Sequence, residues 1–173
     1  MSNIDLVISS LKFLGIKPDV NNYNSRFLIQ KISYLAQALG VPTNYRFTIH
    51  VAGPYSKALE CDYYREINRV NSLETNYVLK SDDCVILEKI KECCDLSENP
   101  LLLECMSTAV YLKMENTELQ DNDIFLAIRK LKPHLGEYLT LKGITKAKEL
   151  LFKPEFLTEE IKKEIQLWDQ ADD

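Results

Sequence analysis

The sequence predicts a compact, mainly helical domain with a small β element, an α+β fold with a winged-helix-like N-terminal half. Three observations lead there. Apolar residues recur with helical spacing over most of the chain. The period drops to two once, at Tyr45–Val51. Gly, Pro, Asn, Asp and Ser fall where those patterns break, as start and stop signals should.

Ile4, Val7, Ile8, Leu11 and Leu14 place a helix over 4–14, ended by Gly15 with Pro18 just beyond. Asn21–Asn24 is turn chemistry, and Asn24 or Ser25 is the expected cap of a second helix running to about Gly40. Leu28, Ile32, Leu35, Ala36 and Leu39 form its stripe, with Gln30, Lys31 and Gln37 outside it. Tyr45–Val51 is a half-buried strand broken at Gly53-Pro54. Gly53 permits an unusual backbone angle, Pro54 stiffens the turn, and Ser56 caps a helix over 56–70. The β-prone piece Asn76–Lys80 is the expected partner of the first strand, giving the wing-like element.

Caps divide the second half. Ser81 or Asp82 opens 83–95, with Ile86, Ile90 and Cys93 or Cys94 inward. Asn99, with Pro100 at the first helical position, opens 100–114. Asp121 or Asn122 opens 123–132, which Pro133 ends. Thr140 opens 141–152, with Ile144, Ala147 and Leu151 aligned. Thr158 opens a last helix striped by Ile161, Ile165 and Trp168, and Asp169–Asp173 frays. With 173 residues and no linker-like stretch, the expectation is one domain over 1–173: a motif-bearing half, 1–80, and an acidic helical half, 81–173.

Composition narrows the function classes. Hydrophobic residues make up 46% of the chain and charged residues 27%, as in ordinary globular proteins. The longest apolar runs, such as Leu101–Leu103, are too short to span a bilayer, and Met1–Asp5 lacks the flank of a secretory signal, so the cytoplasm is expected. Five cysteines, Cys61, Cys84, Cys93, Cys94 and Cys105, show no C-x-x-C spacing, and only His50 and His134 could join them; no metal or cofactor is expected, and the thiols read as small hydrophobes. Net charge is −5, split as +3 over 1–80 and −8 over 81–173.

Catalytic patterns are missing. Neither histidine lies in a nucleophile or zinc-protease motif, and no glycine falls in a phosphate-binding loop. Asp82-Asp83 and Glu159-Glu160 stand at helix starts, where they complement the helix dipole. The expectation is therefore a non-enzyme, with a hydrolase built on scattered residues as a rival. Nucleic-acid binding is a second rival: Arg26, Lys31, Arg46, His50, Lys57, Arg65 and Arg69 cluster in the N-terminal half. Glu60, Asp62 and Glu66 stand among them and would repel phosphate.

Phe27–Gln37, FLIQKISYLAQ, resembles the KLQKLLYLAQ helix of YwgA-like proteins and the related Panacea-domain antitoxins. Gly53-Pro54-Tyr55-Ser56 is similar to their GPYS turn, with Phe47 before it and Leu59 and Asp62 after it; Thr108–Leu112 and Lys132-Pro133 resemble later elements. Phe27 stands where the helix motif has Lys or a small residue, and Lys57 where a Pro follows the turn. The resemblance spans roughly 24–135. It implies a helical domain with a small β element, no catalytic centre, and a role in binding and neutralising a partner protein, such as a toxin encoded nearby. Gln30, Lys31, Tyr34 and Tyr64 are the expected partner-binding residues, with Gln30 and Lys31 alternatively capping the Gly53 turn. Gly53, Pro54, Tyr55, Ser56 and Asp62 are the expected structural motif, and Tyr55 and Tyr63 are expected in the core. The alternative function is a winged-helix DNA-binding regulator.

Overall fold

The computed structural model describes residues 3–93, 96, 99–152 and 159–171. The fold is mainly helical with one small antiparallel hairpin. α1 (Asn3–Phe13) buries Ile4, Leu6, Val7, Ile8 and Leu11 and closes at Gly15, whose φ is +72°. α2 (Tyr23–Ala38) starts earlier than expected. Its cap is Asn22, whose side chain accepts from Ser25 N, while the Ser25 hydroxyl accepts from Asp19 N at 2.8 Å. The Ser25 side chain thus serves the preceding loop, leaving Asn22 to satisfy the first turn.

The β element differs from expectation in both partners. β1 is only Thr48–His50, and its mate β2 is Gly53–Tyr55, with Thr48 opposite Tyr55 and His50 opposite Gly53. Val51-Ala52 is a two-residue connection, so pairing is local and the longer strand over 45–51 is not needed. Asn76–Lys80 has no regular secondary structure and joins no ladder among the described residues. The Ser9 hydroxyl donates to the Tyr77 carbonyl at 2.8 Å, tying that stretch to α1.

The helix expected over 56–70 is two: α3 (Lys57–Arg65), capped by Ser56 as anticipated, and α4 (Ile67–Ser72). The backbone departs from helix at Glu66 (φ −105°, ψ 27°), and α4 ends with Leu73 in the left-handed region. α5 (Ser81–Cys93) starts two residues before 83, and Cys94 lies outside the described residues. α6 (Pro100–Glu115) has the expected Asn99 cap and leading proline.

α7 (Asp121–Leu131) is capped by Gln120, not by Asp121 or Asn122: Asp123 returns a carboxylate to the Gln120 N–H at 3.0 Å, closing a capping box. α8 (Glu137–Leu151) has Gly136 at its N-cap, ahead of Thr140, whose buried hydroxyl donates back to the Gly136 carbonyl. α9 (Glu159–Ala171) reaches past Asp169; the expected opener Thr158 lies outside the described residues.

α6 is the spine, buried without a break from Leu102 to Val110. It packs most extensively on α8, where Gly143 faces Cys105, and then on α2. Two apolar clusters result. One gathers Ile32, Leu35, Leu87, Leu103, Met106, Val110 and Ile144; the other joins α1 to Ile29, Tyr45, Leu59, Tyr63 and Val70. α2 contributes to both, so its intervening residues Gln30 and Lys31 are enclosed as well.

Candidate interaction site

Phe27, Gln30, Lys31 and Tyr34 stand at i, i+3, i+4 and i+7 on α2 and therefore share a face. That face backs onto β2. Gln30 Nε2 donates to the Ser56 carbonyl at 3.0 Å, and Ser56 N donates to Gln30 Oε1 at 2.8 Å. Lys31 Nζ donates to the Pro54 carbonyl at 2.7 Å. Gln30 and Lys31 are 3% and 2% exposed, so they sit inside the protein and not on the polar face read from the helix period. Burying these polar groups demands the partners they have found.

Gly53 has a φ of +92°, and a Cβ there would lie 3.2 Å from Thr108 Oγ1 and 3.3 Å from Lys31 Cε. Both backbone angle and space suit glycine. Beneath the turn, Ser107 and Thr108 turn their hydroxyls to the Glu104 carbonyl. The buried Glu104 carboxylate lies 3.4 Å from Lys132 Nζ and 3.1 Å from His134 Nε2. Lys132 also donates to the carbonyls of His50 and Val51, so a residue from the acidic half holds the tip of the hairpin. Burial pulls the Lys132 amine below its usual range, and Glu104 opposes that. Burial lowers Lys31 likewise, to about 7, with Glu104 countering it and Lys132 adding to it.

In front of the turn lies a hollow of about 220 Å³. Lys31 and Gln30 are in its wall; Tyr23, Arg26, Tyr55 and Tyr64 surround them. The His50 ring packs on Tyr55 at 4.7 Å and Tyr64 on Tyr63 at 5.1 Å between centroids. Tyr55 donates to Glu60 at 2.5 Å, and Lys57 pairs with the same carboxylate. These bonds, and burial above all for Tyr55, raise the Tyr55 phenol and lower Glu60. Three other hollows are larger: two run along α6–α9 and between the 14–17 turn and α8, and one of about 250 Å³ is lined by Tyr34, Phe47 and Tyr111.

The expected partner-binding residues therefore separate. Tyr64 is 45% exposed at the hollow's edge. Tyr34 is buried against Phe47 and Tyr111. Gln30 and Lys31 bind the turn, one of the two roles read for them. Tyr63 is core, and Tyr55 is half-buried. Asp62 accepts from the Tyr45 hydroxyl at 2.7 Å and pairs with Arg65, fastening α3 to the segment before β1.

Sequence reasoning missed Glu104 and Tyr23 as parts of this region, and named Arg26 only in the basic cluster weighed for nucleic acid. A signal for Glu104 existed: it is the lone charge in Leu101–Val110. A charge in such a run is enclosed unless the helix ends there. Tyr23 carries no comparable signal, because solvated first turns often hold such residues.

The hollow's lining contains no serine, threonine or cysteine, and the His50 ring nitrogens have no hydrogen-bond partner among the described residues. Burial pushes the Cys105 thiol up to about 12, far from a thiolate at neutral pH. Among the described residues no three His, Cys, Asp or Glu side chains group as metal ligands, and no helix is long and apolar enough to cross a membrane. No family model matches the chain, and neither the curated proteins nor the solved structures yield a match.

Proposed function

We propose that this chain is a non-enzymatic protein-interaction module of the cytoplasm, akin to the YwgA-like and Panacea-domain antitoxins, that binds and neutralises a partner protein. The observation that carries the reading is the tyrosine rim: Tyr23 and Tyr64 stay 62% and 45% exposed around a hollow whose floor is fixed by buried hydrogen bonds. Exposed aromatics on a rigid backing bind partners at low entropic cost. The mechanism is steric occlusion by the face that α2 and the 53–56 turn build together.

The test is co-expression with the product of the adjacent reading frame. Relief of a growth arrest by this chain, lost in Tyr23→Asp and Tyr64→Asp variants that remain folded, supports the reading; failure to relieve it counts against it.

The DNA-binding alternative is less well supported, because Lys57 and Arg65 on α3 are paired with Glu60 and Asp62. Their charge is already compensated, which leaves little gain from phosphate. Mobility shifts at two salt concentrations separate the two: a DNA complex weakens steeply with salt, and the interaction module gives no shift.

A further inference from the structure

Lys31 is nearly sealed from solvent; its ammonium lies 5.0 Å from the centroid of the Phe27 ring, yet of its three donors only one has a hydrogen-bond acceptor among the described residues, Pro54 O. The carboxylates nearby are bound elsewhere. Glu104 acts on Lys31 through space while bonded to Lys132 and His134, and Glu60 is held by Tyr55 and Lys57. Lys31 is among the residues that line the hollow, and the other cation there, Arg26, is half-buried above the Tyr23 ring and donates to Val20 O.

We propose that this hollow is a carboxylate-accepting pocket, in which Lys31 donates to the side-chain carboxylate of a glutamate or aspartate presented by a partner protein. The assignment rests on the interaction-module reading and names the chemistry of its contact. Three observations support it. A buried donor group with unused capacity favours a charged acceptor, the strongest available to an ammonium. Arg26 at the side adds charge complementarity, while the Glu60 carboxylate is screened by its own two partners. Size favours a side chain: about 220 Å³ falls below the ~300–1,000 Å³ of small-molecule and cofactor sites. The tyrosine rim would then shield the ion pair from water. The lowered Lys31 pKa fits an amine short of compensation, which a carboxylate would raise again.

The probe is N-acetyl-glutamate N-methylamide, with N-acetyl-glutamine N-methylamide as its neutral isostere and benzoate as a free small acid. Binding is read from amide shifts of the full chain by NMR. Saturable shifts at Gly53, Tyr55 and the Gln30 side chain with the glutamate compound, weaker by roughly tenfold or more with the glutamine compound, are expected. Lys31→Met should abolish them and Arg26→Gln weaken them, with the Gly143 signal unmoved. If Lys31→Met does not fold, Arg26→Gln decides alone.

Equal response to the two amides, shifts that survive Lys31→Met, no shift at all, or benzoate binding more tightly than the glutamate compound each overturn the assignment. Co-expression rescue without probe binding would sink the pocket and spare the interaction module. Probe binding without rescue would do the reverse.

Discussion

Lys132 Nζ and the Glu104 carboxylate lie 3.4 Å apart with both side chains almost wholly enclosed, Lys132 at 1% and Glu104 at 6% exposure. This pair joins the two halves of the chain, since Lys132 also grips the carbonyls of His50 and Val51. A buried pair adds little over an apolar replacement, but removing one member leaves a naked charge. Glu104→Gln should therefore cost about 3–5 kcal/mol. Denaturant unfolding of Glu104→Gln, Lys132→Met and the double variant checks this, and the double variant should lose less than the two singles combined.

Lys31 makes stability depend on pH in a defined direction. Its amine titrates near 7 when folded and near 10.5 when unfolded. Below 7 both states hold the proton and the full cost of burying it is present. From 7 towards 10.5 only the unfolded state holds it, so stability rises, by at most about 1.4 kcal/mol per pH unit from this group. The lowered Lys132 amine acts in the same direction. Above pH 10 the buried phenols of Tyr34 and Tyr45, raised by burial, reverse the trend, because the unfolded chain loses those protons first. Urea midpoints between pH 6.5 and 9.5 should climb for the wild type and climb less for Lys31→Met.

The closest approach of α6 and α8 depends on a missing side chain. A Cβ at Gly143 would lie 2.4 Å from Cys105 Sγ and 2.7 Å from its Cβ. Gly143→Ala should cost about 1–3 kcal/mol by overpacking, despite the better helix propensity of alanine. Adding Cys105→Ala removes the sulfur but not the Cβ, so thermal unfolding should show partial recovery of the melting temperature.

Gln30 serves as a surrogate backbone for Ser56, offering an acceptor and a donor where another strand would. In Gln30→Ala a buried N–H and a buried carbonyl lose their partners, each worth about 1–3 kcal/mol. Hydrogen exchange at the Ser56 amide should accelerate far more than exchange in the middle of α6, and uniform acceleration would contradict this local role.

Much of the molecule was legible in its residue pattern. The helical class, one strand before Gly53, the Ser56 and Asn99 caps and the break at Gly15 all follow from local preferences, which neighbours in sequence express wherever the chain folds; the pairing partner of that strand did not. Helix starts were misread where two polar residues compete for one cap, as Asn22 and Ser25 do, since the winner depends on which side chain the preceding loop occupies.

Tertiary structure alone decided the rest. Periodicity places Gln30 and Lys31 outside the apolar stripe of α2, but a helix wedged between two cores is covered on more than one face. Whether a lysine is solvated or enclosed depends on what packs over it, here a hairpin pinned by Lys132 from 81 residues away. No local rule reaches that far. Spacing along the chain shows that polar residues lie near the turn; only the packing of α2, α6 and β2 buries Lys31 against that turn and beside a tyrosine-rimmed hollow.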